Sequence, residues 1–255
     1  MTKLLLFFST GYFIYLGRAV DTVVHEHHAI QIALSLEDKI EVISSGSVIK
    51  YKAVIIDSDE PHECRTYDNT FLLISIDPEC KIGAGLKKSY LSGQKITTLP
   101  ETMVEELLED IKPLLESNTS ADPLFNTILH FLQKLSNTGE TEEMDERIMK
   151  VLDILKQPGI EPLKIESLSA VVYLSPSRLI HLFTEQVGIP IRKYILWARL
   201  LRALQYIFDG YPYTDAALEA GFSDAPHFNR TFKRMFGQSP SFLLQNSQII
   251  QAHVK

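Results

Sequence analysis

The sequence predicts an α+β chain in two parts: an N-terminal β-barrel-like domain with two following helices, then an all-α domain containing two helix-turn-helix units. Three observations predict this. Residues 1–95 are rich in β-branched and aromatic residues, broken at short intervals by turn chemistry. Residues 101–135 repeat their apolar positions at three- and four-residue steps. Beyond residue 147 the pattern stays helical and contains a repeat at an offset of 49 residues.

Lys3 followed by Leu4 to Phe8 imitates the start of a signal peptide. Ser9-Thr10-Gly11 interrupts the apolar run, Tyr12 to Leu16 resumes it, and no small-x-small cleavage site follows. Strand, turn, strand is the better account. Ala29 to Leu36 is strand-like, Ile40 to Ile43 and Val48 to Asp57 read as strands around Ser44-Ser45-Gly46-Ser47, and Phe71 to Ile76 is another. Asp57-Ser58-Asp59-Glu60, beside Pro61, reads as an exposed turn and not as paired catalytic carboxylates. Short strands at this spacing suggest a small barrel or sandwich.

Val104, Leu107, Leu108, Ile111, Leu114 and Leu115 then mark one apolar helix face, with Pro100 and Glu101 suited to its first turn. Asp122-Pro123 starts a second helix, whose face is Leu124, Ile128, Phe131, Leu132 and Leu135. The two are expected to pair with their copies in a homodimer; covering one side of the barrel is the alternative. The polar run from Ser136 to Glu143 reads as a linker. The expected division is a sensor and dimerisation domain at 1–140, a linker at 136–146, and a helical domain at 147–246.

The chain of 255 residues has a net charge of −7, which by itself argues against a nucleic-acid partner. The charge is unevenly spread. Residues 1–145 hold 12 Lys and Arg against 23 Asp and Glu, whereas residues 146–255 hold 13 against 9. Only the back half suits phosphate. Two cysteines, Cys64 and Cys80, make no disulfide framework, which points to a reducing cytoplasm with both thiols in the core. No segment reaches the roughly 20 apolar residues that would cross a bilayer, so no membrane partner is expected.

The repeat pairs SPSRLIHLFTEQVG (175–188) with DAPHFNRTFKRMFG (224–237). Each opens on an N-cap residue, Ser175 or Asp224, with proline just inside. Leu179 matches Phe228, Phe183 matches Phe232, and each copy ends on glycine. A short helix precedes each (Ile165 to Val172, Thr214 to Ala220), joined by Tyr173-Leu174 or Gly221-Phe222-Ser223. Short helix, turn and capped second helix make a helix-turn-helix, whose second helix enters the major groove. Two hairpins packed together without DNA would look similar. The outward residues decide between them: Ser177, Arg178 and His181 in the first copy, His227, Asn229, Arg230, Lys233 and Arg234 in the second. These groups donate to base edges and phosphates, and the second face has no carboxylate after its cap. A helix from Ile191 to Phe208 joins the units; its 18 residues span about 27 Å, which could set the reading helices near one DNA turn apart. Arg192, Lys193, Arg199 and Arg202 lie along it, divided between phosphate contacts and internal pairs.

Residues 147–246 resemble the DNA-binding domain of the AraC/XylS family of bacterial transcription regulators. The resemblance rests on LSPSRLIHLF (174–183), VGIPIRKYILWARL (187–200), EAGFSDAPHFNRTFKRMFG (219–237) and Ser239-Pro240. It implies base-reading positions at Pro176, Ser177, Ile180 and His181, and at Ala225, Pro226, Asn229 and Arg230. It also implies double-stranded DNA as partner, with a small-molecule effector and RNA polymerase as candidates. His181 stands where many members carry Arg, and Ala225-Pro226 replaces more polar residues.

In the front half, His25-Glu26-His27-His28 and His62 are the most suggestive cluster. His-x-His on one strand puts two rings on one face, and His62 could add a third nitrogen, with Glu26 or Glu63 as a carboxylate. The arrangement resembles the cupin barrel, the fold commonly found ahead of this family's DNA-binding domain, although the glycine framework of a cupin metal motif is mostly missing. Three readings stay open: an effector pocket lined by His25, His27 and His62, a filled pocket serving dimerisation, and a metal-dependent cupin enzyme. The sequence assigns no catalytic residue, metal or cofactor.

Overall fold

The computed structural model describes residues 5–9, 11–18, 21–67, 69–116, 122–136, 144–157, 164–241 and 251–253. The linker expected from Ser136 to Glu143 lies, apart from Ser136, outside the described residues. The chain divides into two compact units, Met1–Thr141 with Lys233–Lys255, and Glu142–Phe232.

The first unit contains β1 (Leu5–Ser9), β2 (Tyr12–Arg18), β3 (Ile30–Ser35), β4 (Ile40–Ser44), β5 (Ser47–Tyr51) and β6 (Ala53–Ile56). These are followed by β7 (Glu63–Arg65), β8 (Thr70–Ile76), helix α1 (Lys81–Tyr90), β9 (Ile96–Thr98), α2 (Glu101–Glu116) and α3 (Asp122–Ser136), with β10 (Gln251–His253) near the end of the chain. One sheet has the order β10-β1-β2-β8-β3-β6-β9 and a second the order β5-β4-β7. All pairs are antiparallel except β1 with β10. The expected α+β class is met, with the strands arranged in two sheets; among the described residues a closed barrel is not shown.

Alternation along the strands sorts the core. Ile14 and Ile32 both register with Ile74, and Leu16 and Leu34 with Leu72. That face is covered by Val104, Leu107, Ile111, Ile128, Phe131 and Leu132 of α2 and α3, the helix faces expected from the sequence. The opposite face of β3 and β6 (Ala33, Val54, Ile56) meets Ile40, Val42 and Cys64 of the small sheet. Side chains that leave water this completely contribute about 1.5–3 kcal/mol each.

The run Val48 to Asp57 is not one strand. It breaks at Lys52, giving β5 to the small sheet and β6 to the large one. Asp57 is not an exposed turn residue either: it is buried and accepts from Lys95 Nζ at 2.8 Å. Helix α1 has no counterpart in the sequence reading, because Gly83 and Gly85 interrupt its apolar spacing. Gly83 is needed there, since a Cβ would lie 2.2 Å from the Asp77 carbonyl oxygen. Cys80 is half-buried, and its sulfur accepts from Gly83 N–H to cap the helix.

The second unit is helical: α4 (Glu146–Lys156), α5 (Ile165–Val171), α6 (Pro176–Val187), α7 (Ile191–Phe208), α8 (Tyr213–Glu219) and most of α9 (Ala225–Phe236). Ile148, Val151 and Leu155 of α4 share a core with Leu168, Leu179, Phe183 and Tyr194. No helix among the described residues is long and apolar enough to cross a membrane.

Candidate functional site

The two helical copies are built alike. Helices α5 and α8 have seven residues each, and α6 and α9 twelve each, the latter pair offset by 49 positions. Ser175 caps α6, its hydroxyl accepting from Arg178 N–H at 3.2 Å. Asp224 caps α9, its carboxylate accepting from His227 N–H at 2.6 Å. That hydrogen bond, helped by Ser223 and Arg230, holds the Asp224 carboxyl below its usual range. Both turns close with the same pair of backbone bonds. Leu174 N–H reaches Ser169 O at 3.0 Å, as Phe222 N–H reaches Ala217 O at 3.0 Å. The left-handed residue between them is Tyr173 in one copy and Gly221 in the other.

Leu179 and Phe183 of α6, and Phe228 and Phe232 of α9, are fully buried. Their removal from the surface leaves the remaining side chains facing outward. Pro176, Ser177, Arg178, Ile180 and His181 are all exposed on α6. On α9, Pro226, Asn229, Arg230, Lys233 and Arg234 are exposed, and Ala225 and His227 are partly so. Within each helix, then, the expected reading residues share a solvent-facing side. Tyr213 was not foreseen from the sequence: its hydroxyl donates to Asn229 Oδ1, which orients that amide. Burial pushes the Tyr213 hydroxyl up to about 12, so it remains a donor.

The cations on α7 differ among themselves. Arg192 and Lys193 are exposed and Arg199 is half-buried. Arg202 is buried and donates to Leu155 O at 3.2 Å and Gln157 O at 2.6 Å, closing the carbonyl end of α4.

The histidines of the first unit also come together. His25 and His62 form an isolated antiparallel bridge, each N–H bonded to the other's carbonyl at 2.9 Å. Their rings are 4.2 Å apart, with His27 at 5.7 and 5.5 Å. His25 and His27 lie ahead of β3 and not within a regular strand. All three are buried, at 5, 4 and 1% exposure, and so do not line an open mouth. Burial, followed by the neighbouring His27, lowers the His25 pKa to about 4; burial lowers those of His27 and His62 as well. Burial thus favours the neutral form of all three rings. Glu63 turns away to Arg65, and Glu26 is not among the grouped ligand atoms. His28 takes a different course. Burial opposes its charge, but Asp59 and Glu79 outweigh it and raise its pKa to about 9. Glu79 lies 51 residues away, and nothing in the local sequence announces the pair.

A model of the helix-turn-helix domain family matches residues 168–246. That span contains both turns and both capped helices. Residues 168–246 form an AraC-type DNA-binding domain. "Probable transcriptional regulator LumQ" of Photobacterium leiognathi is 24% identical over 225 residues, which cover 85% of this chain and 90% of LumQ. An uncharacterized HTH-type transcriptional regulator of Staphylococcus aureus (strain MSSA476) is 30% identical over 114 residues. The match covers 44% of this chain but only 15% of that relative, so the chain spans a small part of its length. The crystal structure of ToxT from Vibrio cholerae O395 matches with a TM-score of 0.57 at 14% identity, over 94% of this chain and 99% of ToxT. At that identity the likeness is one of fold, and it extends well beyond the AraC-type domain.

Proposed function

We propose that the chain is a transcription regulator that binds duplex DNA sequence-specifically through α6 and α9 and catalyses no reaction. One observation carries the reading: two capped helices of equal length, each burying an equivalent stripe and turning a polar or cationic face outward. In this reading Pro176, Ser177, Arg178, Ile180 and His181, with Ala225, Pro226, His227, Asn229, Arg230, Lys233 and Arg234, form the interface. Residues 147–246 act as the DNA-binding domain, 136–146 as linker, and 1–140 as a domain that receives an effector and forms a homodimer. The working compartment is the cytoplasm, and RNA polymerase is a further partner.

Support for an effector comes from the fold: wild-type ToxT has been crystallised with an unsaturated fatty acid bound, at a TM-score of 0.54 and 12% identity to this chain. A small molecule would act by binding two states of the regulator unequally.

The test is enrichment of genomic fragments by the full-length protein, followed by binding to the enriched duplexes. A shared motif read in two adjacent major grooves is expected; no preference over random duplex would overturn the reading. Arg230→Ala should cost about 1–3 kcal/mol and relax preference at one base position. An equal loss on every sequence would reassign Arg230 to phosphate.

A further inference from the structure

The DNA-binding reading leaves the histidine trio without a task. We propose that His25, His27 and His62 form a site for one divalent transition-metal ion of the zinc type, bound through Nε2 of each ring. The ligand-capable atoms of the three already lie within 4.8 Å of one another.

The hydrogen bonds behind the rings are those that ligation needs. Nδ1 of His25 meets the Val23 carbonyl at 2.9 Å, that of His27 the Ala29 carbonyl at 2.9 Å, and that of His62 the Glu60 carbonyl at 2.8 Å. A carbonyl oxygen can only accept, so each Nδ1 holds its ring's proton and each Nε2 holds a lone pair. Each of the three buried rings thus keeps one lone pair for a cation.

The cluster is polar and incompletely satisfied. His62 Nε2 is buried without a hydrogen-bond partner. His27 Nε2 lies 2.9 Å from Gln31 Oε1, and two acceptors face each other unless the amide turns over. A cation between these groups satisfies both, leaving the fourth position to Gln31 Oε1 or to water. A donor set of imidazoles with no carboxylate suits zinc and its neighbours and not magnesium or calcium. At zinc–nitrogen lengths of about 2.0–2.1 Å the nitrogens stand roughly 3.4 Å apart, so the rings draw in by about an ångström. The His25–His62 bridge holds two of the three on facing backbone, which limits what must move.

The experiment uses the full-length chain without a histidine tag, stripped with chelator and titrated separately with zinc chloride and cobalt chloride. One zinc per chain, a raised Tm and the visible absorption of four-coordinate cobalt are expected. His62→Gln and His27→Gln should each weaken binding at least about tenfold, while His130→Gln, exposed on α3, should not. Zinc binding well below one per chain with an unchanged Tm would overturn the proposal. So would a six-coordinate cobalt spectrum, or equal weakening by His130→Gln. Should the ligand variants fail to fold, the cobalt spectrum of the unaltered protein decides alone.

Discussion

At the scale of single residues, charge alone does not reveal what a cation does. Arg202 and Arg230 are both arginines on helices of the same basic region, yet one is buried against carbonyls and the other exposed. Arg202→Met keeps the apolar stem but strips donors from the Leu155 and Gln157 carbonyls. A hydrogen bond from a charged donor contributes about 1.5–3 kcal/mol, so a loss of about 2 kcal/mol is expected in denaturant unfolding. DNA affinity, measured where the variant is fully folded, should keep its salt dependence. Tyr173 presents the opposite case. It is 95% exposed with φ at 54°, where the second copy has Gly221 at 87°. A left-handed non-glycine residue costs about 1–2 kcal/mol, partly offset by the greater freedom glycine gives the unfolded chain. Tyr173→Gly should therefore stabilise the protein by about 0.5–1 kcal/mol, read as a higher denaturation midpoint at an unchanged slope.

At the scale of elements, the helix caps tie stability to pH. The Asp224 pKa is lowered in the folded protein, so its carboxylate stabilises α9 above the unfolded value of 3.8. That contribution falls away as pH drops below 3.8 and through the folded value. Asp224→Asn keeps a good cap and removes only the charge. The Tm gap between the two proteins should be constant near pH 6 and shrink below about pH 4; a gap that widened there would contradict the capping role. Periodicity predicted α2, α3, α6 and α9 because their burial follows a single face. It failed for α1, whose apolar spacing is interrupted by Gly83 and Gly85, the first of them required by backbone closeness to Asp77. It also failed for the run 48–57, where continuous β-branched composition conceals a change of sheet at Lys52.

For the whole molecule, net charge is a poor guide to the partner. The chain is −7 overall, but its excess of acid lies before residue 146. If cations on α6 and α9 neutralise phosphates, log affinity should fall linearly with log salt, by about 0.9 per phosphate contact. A slope near zero in a salt titration of the full-length protein would mean that the exposed basic face does not meet DNA.

What the sequence determined by itself is what neighbouring residues control. Caps, turns, the spacing of Leu179 and Phe183, and their 49-residue echo in Phe228 and Phe232 all act within one or two helical turns. They suffice to name the domain and its outward faces. Only the tertiary structure decided which groups from distant segments meet. It joined His62 to His25 through one bridge, a meeting the sequence offered only as one open reading among three, set Glu79 against His28, and sent Arg202 inward to α4. Such meetings depend on sheet pairing and on the burial of polar groups, and the spacing of residues along the chain leaves no trace of either.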